Sequence, residues 1–147
     1  MNRLTCAIAF ALFVSPFSAA ASSPVVRVRC VTEETVIYQP FFLSYEVVQT
    51  GEPDGDLTGY LTIQGQDTVF PHVDLNTVMQ SELLKNPSAI QLMDLLGIDP
   101  VLVSRCDVFK TAMRKNVKVE VFAFIDATGN ELKKIGIFGD NIAICSE

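Results

Sequence analysis

The sequence has one histidine among its 147 residues, and it lacks the local motifs that commonly accompany catalysis. It contains no nucleophile elbow, no His-Glu-x-x-His and no Cys-x-x-Cys. A catalytic pair would have to bring His72 beside Cys30, Cys106 or a serine, with an acid to orient it, and nothing near His72 indicates this. Because His72 lies between Pro71 and Val73, we interpret it as a loop or strand-end residue. We predict that the protein is not an enzyme.

A glycine-rich loop of the kind that holds phosphate is also absent, since Gly136 and Gly139 fall inside a predicted β-meander. Residues 52–56 do place carboxylates at alternate positions, as calcium loops do. The match to an EF-hand fails, because Leu57 stands where that loop needs glycine and Ile63 where it needs the bidentate glutamate. We therefore predict an acidic β-turn, no metal site and no cofactor.

No apolar run reaches the ~20 residues that a membrane-spanning helix requires. The longest, residues 4–14, follows Arg3 and ends at Ser15-Pro16, and the small residues 19–21 come next. This pattern is typical of a secretory signal peptide. We expect residues 1–21 to be removed, so that residues 22–147 form one periplasmic or secreted domain without stable membrane insertion.

Basic residues are missing from a long part of the chain. Between residues 30 and 84 there is no lysine or arginine, whereas nine acids occur there: Glu33, Glu34, Glu46, Glu52, Asp54, Asp56, Asp67, Asp74 and Glu82. Residues 105–118 hold five basic residues against one acid. One pole of the molecule should be acidic, either as a solvated surface or as a face that steers a basic partner. Nucleic-acid binding is disfavoured, because it needs a basic footprint.

Three cysteines remain after signal cleavage, which suggests one disulfide and one leftover thiol. We favour Cys106–Cys145, then Cys30–Cys145, then Cys30–Cys106. Cys145 lies two residues from the chain end, where a bond has most to restrain. We expect the odd cysteine to be a buried core thiol.

The hydrophobic pattern predicts an α+β domain. Residues 117–144 alternate between apolar and polar with two turn sequences, which indicates a three-stranded antiparallel meander. Four earlier strands are predicted at residues 25–31, 36–49, 57–64 and 68–73. Pro40 should lie at an edge or a bulge, because it cannot donate to a ladder.

Between these strands, the period changes to that of helices. Residues 74–84 and 86–97 each have an apolar stripe, with Asp74 and Asn86 as N-caps and Gly97 at the end of the second helix. Residues 99–116 fit either period, and we favour a helix over a strand. The predicted fold is thus antiparallel sheet of about six to seven strands with two or three short helices, which cover one sheet face or pack between two sheets.

These observations favour an exported, non-enzymatic binding protein of the inhibitor or immunity type. Its partner would be a basic protein. The predicted partner-binding residues are the acids Glu33, Glu34, Glu46, Glu52, Asp54, Asp56 and Asp67. The aromatics Tyr38, Phe41, Phe42 and Tyr45 could form an exposed docking strip, although we favour core packing for them. The alternatives are a structural or accessory component of a bacterial envelope assembly, using a sheet edge or the odd cysteine, and a small secreted hydrolase.

Overall fold

A computed structural model describes residues 24–34, 39–50 and 55–139 and the backbone of residues 144–145. The predicted signal peptide, residues 1–21, lies outside the described residues, as do Tyr38, Glu52 and Asp54. The described chain is mostly antiparallel sheet with few helices. None of its helices is both long and apolar enough to cross a membrane.

The first sheet contains four antiparallel strands in sequence order: β1 (Val26–Glu34), β2 (Gln39–Gln49), β3 (Leu57–Ile63) and β4 (Gln66–Phe70). Its strands follow the predicted alternation, with one face buried and the other exposed to solvent. Pro40 lies opposite Glu33 of β1, while the pairing of β2 with β3 begins only at Leu43. In the described structure, Pro40 is therefore paired on one side of β2, with β1, and this agrees with the predicted edge position.

The second sheet contains β5 (Val73–Met79), β6 (Arg105–Thr111), β7 (Val119–Ile125), β8 (Glu131–Phe138) and β9 (Ile144–Cys145). These strands are also antiparallel and in sequence order. The last three form the predicted meander. At the β7–β8 turn, Gly129 has φ 89°, a conformation that glycine adopts without strain.

The prediction of a helix at residues 99–116 is wrong. A 3-10 helix covers only Pro100–Leu102, where the Asp99 carboxylate accepts a hydrogen bond from the Val101 N–H, and β6 follows. β6 is central, with β5 and β7 on its two sides, and it is buried on both faces. Such a strand has no clean alternation. Its charged residues Arg105 and Asp107 form an ion pair with each other at 3.4 Å.

The prediction of a helix at residues 74–84 is also largely wrong. Only α1 (Gln80–Leu83) is helical there, and Asp74 is a strand residue opposite Lys110 rather than an N-cap. Pairing with β6 supplies the backbone hydrogen bonds of this segment, and this tertiary pairing outweighs its weak helical pattern.

The second predicted helix is confirmed as α2 (Pro87–Leu96). The Asn86 side chain accepts hydrogen bonds from the N–H groups of Ser88 and Ala89, at 3.0 and 3.3 Å. Gly97 ends the helix in the left-handed conformation with φ 75°. Side-chain capping of this kind stabilises a helix by roughly 1 kcal/mol.

The elements form three layers: first sheet, second sheet and helices. One core cluster lies between the sheets, with Tyr45, Val47 and Leu61 on one side and Phe109 and Val121 on the other. A second cluster lies between the opposite face of the second sheet and the helical segments, and its buried members are Leu83, Met93, Ile98, Val103, Cys106, Val108, Phe124 and Ile135. The helices thus cover one sheet face, which was one of the two predicted arrangements.

The β7–β8 turn gives the protein an acid-sensitive element. The Asp126 carboxylate accepts hydrogen bonds from the Thr128 hydroxyl at 2.7 Å and from the N–H groups of Thr128 and Asn130 at 2.9 Å each. The hydrogen bonds, led by that of the Thr128 hydroxyl, lower the pKa of Asp126. A lowered folded-state pKa stabilises the protein above the unfolded-state pKa of about 3.9, and this stabilisation is lost as the pH falls through the folded-state value.

We therefore expect Asp126→Asn to be less stable than wild type at pH 7, with a smaller difference at pH 2 to 3, because asparagine keeps the shape but not the charge. Urea unfolding at both pH values measures this. Asp94→Asn on the exposed side of α2 removes the same charge without these hydrogen bonds, and it should show no comparable pH-dependent loss. A difference for Asp126→Asn that is equally large at both pH values would contradict the expectation.

Candidate binding face

The first sheet has a solvent-exposed side, which we call the outer face. It consists of the side chains that alternate away from the core: Arg27, Arg29, Val31, Phe42, Ser44, Glu46, Val48, Thr58, Tyr60, Thr62, Asp67 and Val69. The helices of the described chain lie on the second sheet, so they do not cover this side. The outer face is therefore a sheet surface that the described layers leave open.

Several large apolar side chains lie on the outer face. Val31 is 61% exposed, Phe42 57%, Tyr60 45% and Val69 41%. Strand register places them in two pairs, Val31 opposite Phe42 and Tyr60 opposite Val69. The two pairs are separated along the strands, because Tyr60 is opposite Glu46, four residues or roughly 13 Å from Phe42 along β2. Single exposed apolar residues are ordinary, but two cross-strand pairs on one open sheet face favour an interaction surface.

The charges of the outer face are mixed and ordered across the strands. Its basic residues, Arg27 and Arg29, both come from β1, while its acids Glu46 and Asp67 come from β2 and β4. Arg27 Nε lies 3.1 Å from Glu46 Oε1. The Thr62 hydroxyl donates to Asp67 Oδ1 at 2.8 Å. The face thus has a basic edge at β1 and an acidic, base-free remainder.

One end of the outer face forms an open depression of about 410 Å³. Arg29, Val31, Phe42, Thr62 and Gln64 line it. The tight turn from β3 to β4 forms one of its walls, with φ 49° at Gln64 and 83° at Gly65, as two-residue hairpins require. Apolar, aromatic and hydrogen-bonding groups are thus adjacent in a concave site, which suits the anchor side chain of a protein partner.

The predicted acidic residues do not all come together in the described structure. Asp67 lies opposite Thr62, which the register aligns with Ser44 of β2 and Arg29 of β1. Glu33 is four residues farther along β1, and the side chains of Glu33 and Glu34 lie outside the description. Asp56 precedes β3 at the other end of the sheet, six residues or roughly 20 Å from Thr62 along the chain. Within the described ranges, no three His, Cys, Asp or Glu residues are grouped so that they could hold a metal ion.

The aromatic residues of β2 divide between core and surface. Tyr45 is fully buried, whereas Phe42 is on the outer face. The Phe41 side chain and Tyr38 lie outside the description. Sequence reasoning did not identify Tyr60, although its place between Thr58 and Thr62 puts it on the polar side of a strand. A period of two shows which residues share a face, but it does not show which face remains uncovered.

The cysteines of the described structure do not form the disulfide that the sequence analysis favoured. Cys106 is a free, buried thiol, so the favoured pairing of Cys106 with Cys145 is wrong. Burial, and then the nearby negative charge of Asp107, raise the pKa of Cys106 to about 12, so it is a poor nucleophile near neutral pH. Cys30 is disulfide-bonded. The backbone of Cys145 lies in β9, which contacts β1, the strand that carries Cys30.

His72 is exposed in the link between β4 and β5. It lines a shallow hollow of about 160 Å³ together with Met113 and Arg114. Cys106 lines a different cavity, beneath α2. The described structure therefore does not bring His72 and this thiol into a common site.

The chain matches no protein-family model, no curated protein and no solved structure.

Proposed function

We propose that the protein is an exported, non-enzymatic binding protein that docks a basic protein partner through the outer face of the first sheet. The observation that carries the proposal is the presence of two pairs of exposed apolar side chains, Val31 with Phe42 and Tyr60 with Val69, on a sheet face that the helical layer leaves open. Protein interfaces are enriched in aromatic residues and arginine at their centres, with polar groups at the rim.

The charge distribution supports a basic partner. The full chain carries a formal net charge of −6, and no lysine or arginine occurs between residues 30 and 84, which include most of the first sheet. Arg27 is paired with Glu46, so the positive charge at the β1 edge is partly neutralised. Long-range attraction would bring a basic protein to the molecule, and the apolar contacts would then hold it. An inhibitor or immunity-type protein would act in this way.

Of the two alternatives, an envelope-assembly component could use the odd cysteine for intermolecular bonding. Cys106 is only 2% exposed, which does not favour that role. A hydrolase that used Cys106 with His72 would need the two side chains close together, and they line separate cavities. The binding proposal therefore has the stronger support.

The proposal is tested by capturing a partner from the native envelope fraction on the immobilised mature protein, identifying and purifying it, and measuring its affinity by calorimetry. We expect Phe42→Ser combined with Tyr60→Ser to weaken binding about 30-fold or more, because hot-spot side chains contribute 2 kcal/mol or more. The fold should be retained, since both side chains point to solvent. Leu95→Ser, which removes an exposed apolar side chain from α2, should leave the affinity unchanged.

The salt dependence of binding tests the basic character of the partner separately from the position of the docking site. Raising the ionic strength from about 0.05 M to about 1 M shortens the screening length to about 3 Å, so binding of a basic partner should weaken. Equal affinity at both concentrations would contradict the basic partner. Unchanged affinity of the Phe42/Tyr60 variant would contradict the outer face as the docking site.

A further inference from the structure

A half-enclosed apolar cavity of about 230 Å³ lies on the opposite side of the second sheet from the first sheet. Its floor consists of Cys106, Val108 and Phe124 from β6 and β7, and its roof consists of Leu83, Ala89 and Leu92 from the helical layer. Cys106 and Phe124 are opposite each other in register. The cavity is therefore a gap between two regular layers, held by a paired sheet beneath and a capped helix above.

The size and lining of this cavity suit a small apolar guest. An engineered apolar cavity of about 150 Å³ is known to stay dry and to bind benzene. At 230 Å³, the cavity has room for about eight groups the size of a water molecule, each about 30 Å³. The buried, protonated Cys106 thiol acts as a small apolar wall here. An alkyl chain of about eight carbons would fill this space.

The surroundings of the cavity indicate the head group of such a guest. Continuing along the same face of β6, the next outward residue after Val108 is Lys110, about 7 Å away. Its Nζ lies 3.9 Å from Glu120, which is also 4.0 Å from Lys118, and Asp74 is opposite Lys110 in register. The two acidic and two basic side chains have no net charge together. This end of the cavity therefore favours neither a negatively nor a positively charged head group.

We propose that this cavity binds the alkyl chain of a small uncharged amphiphile, such as a medium-chain alcohol. The exposed Asn86 and Ser88 line the cavity where α2 begins, and they supply polar groups for an uncharged head. This site is separate from the outer face of the first sheet, and it does not depend on the proposed protein partner.

The test is a titration of the exported protein with linear alcohols, followed by NMR through the methyl groups of Ala89 and Leu92. We expect saturable shifts with 1-octanol. Affinity should increase about fourfold for each methylene from 1-butanol to 1-octanol, because burying a methylene contributes about 0.8 kcal/mol, and it should level off for longer chains. Octanoate should bind more weakly than 1-octanol, because its charge has no net opposite charge beside the cavity.

Matched variants on α2 locate the guest. Ala89→Leu fills the cavity from its roof and should abolish 1-octanol binding and the rise in melting temperature that binding causes. Gln91→Leu adds the same side chain on the exposed side of the same helix and should retain both.

Three results would overturn the proposal: no saturable methyl shift in the wild-type protein, affinity independent of chain length, or an undiminished response in Ala89→Leu. Tighter binding of octanoate than of 1-octanol would overturn the uncharged head group. If Ala89→Leu does not fold, the wild-type methyl titration and its chain-length dependence decide the result alone.

Discussion

Replacing Cys30 by serine is expected to lower the free energy of unfolding by about 4–5 kcal/mol. We propose that Cys30, which is disulfide-bonded, pairs with Cys145, the second of the three pairings considered from the sequence. The bond would then close a loop of 145 − 30 = 115 residues. Cross-linking a loop of about 100 residues reduces the conformational entropy of the unfolded chain by an amount worth about 4.7 kcal/mol.

The position of the two strands explains why a bond here matters in the folded state as well. β9 has only two residues, Ile144 and Cys145, and it pairs with β8 at the edge of the second sheet. β1 contacts β9 from the first sheet, and Lys134 Nζ of β8 donates to the Arg27 carbonyl of β1 at 2.7 Å. A disulfide between β1 and β9 would join the two sheets.

Urea unfolding under non-reducing conditions measures the effect of Cys30→Ser, and peptide mapping of the unreduced protein identifies the bonded pair. Addition of a reducing agent is the control: it should destabilise the wild-type protein and leave the variant unchanged. Equal stability of the two proteins without reductant, or a mapped bond from Cys30 to another cysteine, would contradict the pairing.

The parts of the fold that the sequence predicted are those in which local chemistry and tertiary structure agree. The meander follows from alternation and turn residues, and α2 follows from Asn86, Pro87 and Gly97 at its ends. In contrast, β6 is buried on both faces, so its sequence has no clear period. Whether this segment forms a strand or a helix depends on its contacts with strands and helices from other parts of the chain. β5 was misassigned for the same reason, because its strand conformation depends on pairing with β6.

The candidate binding face was only partly predictable. The absence of basic residues between residues 30 and 84 is visible in the sequence, but the pairing of Glu46 with Arg27 requires the β1–β2 register. The exposure of Phe42 and Tyr60 depends on which sheet the helices cover, and the sequence pattern is compatible with two arrangements of the helices. The cavity beneath α2 depends on the fit between layers and has no signal in the sequence.

Replacing Tyr45 by alanine is the second change for which we expect a large effect, a loss of about 3–5 kcal/mol. Tyr45 is fully buried between the sheets, where its ring makes edge-to-face contacts with Phe70 and Phe138 at centroid distances of 6.4 and 6.1 Å. Its hydroxyl is buried without a hydrogen-bond partner among the described residues, and burial raises the pKa of Tyr45. Tyr45→Phe, which keeps the ring and removes this unpaired group, should therefore stabilise the protein by about 1 kcal/mol.

Gly59 provides a sharper version of this experiment, because it lies directly beneath the ring of Tyr45. A Cβ atom added at Gly59 would be 2.5 Å from the Tyr45 hydroxyl oxygen and 2.9 Å from the ring carbon Cε1. Gly59→Ala should cost about 1–3 kcal/mol in the wild-type protein, as overpacking of a core does. It should cost less in Tyr45→Phe, because removal of the hydroxyl eliminates the closest contact.

A double-mutant cycle of urea unfolding free energies for Gly59→Ala and Tyr45→Phe measures this coupling, which we expect to be about 1 kcal/mol. Gly97→Ala is a control glycine substitution, because a Cβ there meets nothing within 4 Å and any cost arises only from its positive φ. Its cost should be the same with tyrosine or phenylalanine at position 45. Additive effects of Gly59→Ala and Tyr45→Phe would show that the Tyr45 ring does not contact Gly59. The pairing of β2 with β3 would then be wrong, because it places Leu61 opposite Tyr45 and Gly59 two residues from Leu61 on the same face of the sheet.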